Sequence, residues 1–156
     1  MRESAGILLF RRGPAGPGVF LVHPGGPYWA HRDAGAWSVP KGEIHEGEDR
    51  LDTARREMME ETGFEVAGDF IELTPVRLAS GKKVYAWALE QDVDPTLLQS
   101  NTCLVEWPTG SGVKIEIPEV DRGEWFSFRE ASQRINPGQL PLLNELEALL
   151  RARKDQ

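Results

Sequence analysis

Between Gly42 and Phe64 the chain reads GEIHEGEDRLDTARREMMEETGF, and no other stretch restricts the architecture as tightly. Residues 48–62 contain neither Pro nor Gly and are mostly good helix formers, and Gly63 stands where a left-handed terminating residue is usual. Gly47 is an acceptable N-cap, which puts Glu48 and Asp49 in the first turn, where the helix dipole favours anions. The spacing therefore predicts a helix of about four turns over 48–62. Leu51, Ala54 and Met58 recur at helical spacing as a narrow core-facing stripe. Glu57, Glu60 and Glu61 fall at i, i+3 and i+4, so their carboxylates share a face bordering that stripe.

That arrangement is locally unfavourable. Like charges at i, i+4 cost roughly 0.2–0.5 kcal/mol per pair. Glu60 and Glu61 also sit in the last turn, where the dipole disfavours an exposed anion by about 0.3–1 kcal/mol each. A bound divalent cation reverses the sign of both effects, and clustered hard oxygen ligands suit Mg²⁺ or Mn²⁺. Three clustered glutamates alone are more often a solvated acidic face. The full spacing on both sides turns the reading towards a metal site.

The length, 156 residues, fits one domain over 1–156 with room for a real core. Cys103 is the only cysteine, so no internal disulfide forms and a reducing, cytoplasmic setting is expected. It reads as a small hydrophobe and not as a nucleophile. The apolar run from Ala5 to Phe10 is strand-sized, too short for a signal-peptide core, and no segment approaches a membrane span. A formal charge of −7 argues against a nucleic-acid polymer as partner. An anionic small-molecule substrate would be captured by local cations and metal.

Residues 4–12 and 18–23 read as a hairpin around a Gly/Pro-rich turn. Residues 24–35 form a turn-rich loop, and 37–40 a short extended segment. Strands are expected at 68–78 and 82–90, joined at Ser80, Gly81 and Lys82. Residues 91–111 read as mostly irregular, with a turn near Pro95. A weak strand at 113–117, a strand at 124–128 and a short helix at 129–135 follow. The last helix is expected from Leu140 to Arg153, with Leu142, Leu143, Leu146, Leu149 and Leu150 on one face. Strands packed between helices are the expected layering.

The spacing from Gly42 (five residues, Glu48, seven residues, Arg56-Glu57, an apolar residue, any residue, Glu60-Glu61, any residue, Gly63, an apolar residue) is that of the Nudix box. The chain resembles a Nudix hydrolase along most of its length. The resemblance implies the α/β class, as an α/β/α sandwich with a mixed sheet between helices. It implies metal-assisted attack of water on a phosphoanhydride, with Mg²⁺ or Mn²⁺ as cofactor. By position, Glu57, Glu60 and Glu61 would hold metal with help from the Lys41 backbone carbonyl. Glu57 would also activate water, although some members take the base from a downstream loop. Arg56 would orient the carboxylates, Glu48 would support the site, and Gly42 and Gly63 would supply backbone geometry.

The flanks refine the resemblance. Pro40-Lys41-Gly42 after Trp37, and the opening Glu3-Ser4-Ala5-Gly6, look like the asymmetric diadenosine tetraphosphate hydrolases. A lysine beside a metal-bound polyphosphate is a compact cation for a further phosphate; an ordinary exposed lysine is the plain alternative. Glu119, six residues before Trp125, matches the place where several members carry a further metal or base carboxylate. It also reads as one surface acid among Glu116, Asp121 and Glu124. Tyr28, Trp29, Trp37, Tyr85 and Trp87 lie near the expected mouth, with Tyr85 and Trp37 as candidates for substrate contact; most such rings are core. His23, His31 and His45 read as surface or loop residues.

Diadenosine polyphosphate hydrolases often carry a Tyr 16–18 residues after the box, where this chain has Ser80, Gly81 and Lys82. ADP-ribose hydrolases often carry a Pro there, and Pro75 comes too early. The expected substrate is a small nucleotide or dinucleotide, foremost a dinucleoside polyphosphate such as diadenosine tetraphosphate, handled by a monomer or homodimer. The alternatives are a nucleoside triphosphate or modified-nucleotide pyrophosphatase, and a nucleotide-binding sensor without turnover.

Overall fold

The computed structural model describes residues 2–154. Strand β1 (Glu3–Gly13) is followed by β2 (Gly16–Pro24), β3 (Lys41–Glu43) and helix α1 (Arg50–Thr62). Short strands β4 (Ile71–Glu72) and β5 (Val76–Arg77) precede β6 (Lys83–Glu90). Strands β7 (Thr102–Glu106), β8 (Lys114–Pro118) and β9 (Val120–Ser127) lead into helices α2 (Phe128–Arg134) and α3 (Leu140–Lys154).

Among the described residues, seven strands form one mixed sheet along the path β4-β6-β1-β2-β9, with β3 against β1 and β5 against β6. Among the described strands of this sheet only β1 and β6 run parallel; the other pairings are antiparallel. β1 is buried on both faces, as its unbroken run Ala5–Phe10 requires. Its odd-numbered residues Ala5, Ile7 and Leu9 join Phe20, Ala54 and Met58 in a core beneath α1. Leu8 and Phe10 point the other way, into a core with Phe126, Leu142, Leu143 and Leu146 beneath α2 and α3. Helices thus cover both faces of a mixed sheet, the expected α/β/α layering.

One irregularity positions everything that follows. β2 pairs with β1 only from Phe10 to Gly13 and then separates from it. Residues 38–43 fill the gap: Ser38 exchanges backbone hydrogen bonds with Val22, and β3 pairs with Ser4–Gly6. Lys41 and Gly42 are thereby wedged between two splayed strands, directly under α1.

Several expectations change. The helix starts at Arg50, not 48, because Asp49 is the N-cap: its carboxylate accepts from the Asp52 amide at 3.1 Å. A side-chain oxygen caps better than a glycine can, and Gly47 instead takes a left-handed turn at φ 78°. The strand expected over 68–78 is broken. Between Glu72 and Val76 it holds one residue more than β6 opposite, a bulge that contains Pro75, which cannot donate to the ladder. Residues 102–106, expected irregular, pair with β8 as a separate two-stranded hairpin. Their alternation was masked because Leu104 is apolar yet 67% exposed. β9 begins at Val120, earlier than expected. The described helices include none long and apolar enough to cross a membrane.

Candidate functional site

α1 presents Thr53, Ala54, Glu57, Met58, Glu61 and Thr62 to the sheet. Two glutamates one turn apart therefore lie on the buried face itself, not beside it. Glu57 rests over Gly42 so closely that a Cβ on that glycine would collide with the carboxyl group. Glu61 accepts a hydrogen bond from the Lys41 backbone amide. Glu119, between β8 and β9, completes a trio with Glu57 and Glu61 in which carboxylate oxygens lie within 4.8 Å of one another.

Asn101 joins the two halves of this trio. Its backbone N–H donates to the Glu60 carbonyl at 2.8 Å, and its carbonyl accepts from the Glu119 amide at 3.0 Å. Its side-chain amide donates to Glu119 Oε1 at 3.3 Å, while its buried side-chain oxygen has no protein partner. Nothing local in the sequence marks Asn101. Its role exists only because the chain returns to the end of α1.

The electrostatics follow from crowding. Burial, then the negative Glu57 and Glu119, push the Glu61 carboxyl up to about 8 despite nearby Lys41. Burial and then Glu60 raise Glu57, with Arg56 opposing. Lys41 is lowered by burial and by Lys82, while Glu61 and Glu57 act the other way. A small cavity of about 160 Å³ opens here, lined by Pro24, Ser38, Lys41, Glu61, Glu119 and Val120 among others. Buried, mutually repelling carboxylate oxygens are the donor set that suits a hard divalent cation.

Arg56 spans the helix to organise the acids. Its guanidinium donates to both Glu48 oxygens, at 2.8 and 3.0 Å, to Glu57 at 2.9 Å and to Glu60 at 3.2 Å. Glu48 lies just outside the helix, and the Arg56 hydrogen bonds hold its carboxyl at about 2. Glu60 is turned towards Arg56 and away from the trio; its side chain is 41% exposed. Gly63 ends the helix in the left-handed region at φ 78°.

Other candidates lie elsewhere. Trp37 is 1% exposed, packs edge-on against Phe126 and donates from its indole to Asp33 at 2.7 Å. It is core and offers no face to a substrate. Tyr85 is also buried; its hydroxyl donates to Glu3 and Arg50 covers its ring. The expectation of substrate contact at Trp37 and Tyr85 is corrected on those grounds. Trp87 packs on the α1-side core, whereas Tyr28 is exposed. His23 is fully buried between Asp121 and the Arg32 carbonyl, contrary to a surface reading, and ties the 25–32 loop to β9. His31 and His45 are exposed. Burial raises the half-buried Cys103 thiol, which suits its reading as a hydrophobe.

Comparison with known proteins gives a consistent fold. The NUDIX domain profile matches residues 1–146. A solved C. elegans Ap4A hydrolase binary complex superposes with a TM-score of 0.66 at 18% identity, covering 96% of this chain and 98% of that one. The NUDIX domain of Shewanella oneidensis NrtR complexed with ADP ribose gives 0.66 at 19% identity, covering 95% and 87%. At such identities these likenesses show the fold. An RNA pyrophosphohydrolase of Caulobacter vibrioides is 49% identical over 51 residues, a match spanning 30% of this chain and 30% of that protein.

Proposed function

The chain belongs to the Nudix family, and on that premise we propose that it hydrolyses a phosphoanhydride bond in a small nucleotide, foremost a dinucleoside polyphosphate such as diadenosine tetraphosphate. The observation that carries this reading is the convergence of Glu57, Glu61 and Glu119 beside Lys41. Two buried carboxylates and a half-buried third, with Glu61 raised, are costly for the fold alone. A non-catalytic sensor has no need of such a set.

In this reading Glu57, Glu61 and Glu119 would hold Mg²⁺ or Mn²⁺, with Glu60 turning in from Arg56 and the Lys41 carbonyl as a further oxygen. A cation bound there would neutralise charge on phosphate oxygens and make water easier to deprotonate. Glu57 accepts the proton of the attacking water on a carboxylate oxygen, with Glu119 as the alternative base within the same trio. Arg56 holds Glu57 and Glu60 in orientation, and Glu48 anchors Arg56. Gly42 leaves the room that Glu57 occupies.

Substrate length rests on cations beyond the trio. The positive charge of Lys82 helps lower Lys41, after burial. Lys82 in turn shares a concave surface with Arg2 and Arg77. This run of positive charge extends from the carboxylates as a track for a longer phosphate chain. A second reading, a compound with a 5′-triphosphate end, is favoured by the 51-residue match to an RNA pyrophosphohydrolase. Phosphate and pyrophosphate release should be measured with diadenosine tetraphosphate, nucleoside triphosphates and a 5′-triphosphate oligonucleotide. Highest kcat/KM on diadenosine tetraphosphate supports the first reading; preference for either triphosphate rejects it.

A further inference from the structure

The β7–β8 hairpin stands apart from the main sheet, and its residues alternate. Cys103, Val105, Trp107, Ile115 and Ile117 are half-buried, whereas Leu104, Glu106, Lys114 and Glu116 are exposed. The half-buried side faces the 25–29 loop. Contact there is close enough to require glycine: a Cβ at Gly25 would collide with the Pro118 carbonyl, and one at Gly26 would sit 2.6 Å from Ile117 Cδ1. Between hairpin and loop lies a cavity of about 230 Å³ walled by Gly26, Tyr28, Trp29, Val105, Trp107 and Ile117. Tyr28 is 53% exposed and meets Trp29 edge to face, with ring centroids 4.9 Å apart. Neither helix-covered core includes Tyr28, Trp29 or Trp107.

We propose that this cavity is the nucleobase subsite, in which a planar base lies against Trp107 and Trp29 while its phosphates reach the Glu57, Glu61 and Glu119 trio. The inference rests on the nucleotide reading above. Continuity of the backbone supports it. Ile117 in the cavity wall and Glu119 in the trio are separated only by Pro118, about 7 Å at the rise of an extended chain. That is a length a ribose and one phosphate cover. The Gly25 amide donates to the Glu119 carbonyl at 3.0 Å, so the same contact fixes both sites relative to each other. A cavity this small takes one ring system. Aromatic walls accept any base by stacking, so the subsite selects for a base and not for its identity.

The test separates base from phosphate. Calorimetric binding in Mg²⁺ buffer compares a methylene-bridged, non-hydrolysable adenosine triphosphate with the base-free methylene-bridged triphosphate. Trp107→Ala and Trp29→Ala should each weaken the nucleotide analogue by about tenfold or more and leave the base-free analogue within about twofold. Trp107→Phe, which keeps a ring, should retain most of the affinity. Unchanged nucleotide affinity in both alanine variants overturns the subsite, as does an equal loss for both analogues. If wild type turns over nucleotides while the variants bind as wild type does, only the subsite falls. If wild type neither binds nor hydrolyses nucleotides, the functional reading falls with it.

Discussion

Glu57 lies over the Cα of Gly42 with no room for even a methyl group between them. The colliding atoms are the far end of the glutamate side chain, and Gly42 has no left-handed backbone to protect. Gly42→Ala should therefore displace the carboxylate at little cost to the fold. The expected outcome is a kcat at least about 10²-fold lower, as for a misplaced reacting group, with a Tm near that of wild type. Full activity in this variant would show that Glu57 need not sit where it does.

Glu61 links the site to stability. Its carboxyl is raised to about 8 from an ordinary value near 4.5, so between those pH values the folded chain holds a proton that the unfolded chain has lost. Folding stability from this group falls as pH rises through that window and levels off above it. In chelated buffer the Tm of wild type should drop from pH 5 to pH 8 by more than that of Glu61→Gln. Thermal melts across this range check it; parallel curves would show that Glu61 is not the strained group.

Asn101 is the hinge of the trio. Asn101→Ala removes the side-chain donor to Glu119 while its backbone bonds persist. The half-saturating Mg²⁺ or Mn²⁺ concentration should rise about 10–100-fold, the usual effect of losing a partner behind a ligand, and excess metal should rescue much of the rate. A lowered rate with unchanged metal dependence would separate Glu119 from metal binding.

These residues also show what a sequence discloses. The helix, its Gly63 terminus and the grouping of Glu57 with Glu61 are local properties of 3.6-residue periodicity, and they are legible. Asp49 displaced Gly47 as the cap because two residues on either side of Glu48 competed for one role and side-chain hydrogen bonding decided. The neighbourhood of Glu119 depends on Asn101, forty residues after Glu61, and no periodicity reports it. Trp37 and Tyr85 misled because an aromatic ring suits a core as well as a base. Tertiary packing alone assigns Trp37 to the core and leaves Tyr28 and Trp107 at a cavity.

Lys41 tests substrate length. Lys41→Ala should lower kcat/KM for diadenosine tetraphosphate about tenfold more than for a nucleoside triphosphate, since a charge-assisted contact is worth roughly 1.5–3 kcal/mol before solvent screening. Steady-state kinetics on both substrates decide it, and an equal effect on the two would make Lys41 a cation of the site in general.

The central claim is that buried glutamates at the end of α1 drive phosphoanhydride hydrolysis by holding a divalent cation. The most direct measurement is phosphate release from the preferred nucleotide after exhaustive chelation, then on titration with Mg²⁺ or Mn²⁺, for wild type and Glu61→Gln together. Turnover should vanish on chelation and return with added metal in wild type, while Glu61→Gln stays at least about 10²-fold lower at any metal concentration. Undiminished turnover in the chelated protein, or wild-type rates from Glu61→Gln, would contradict the account.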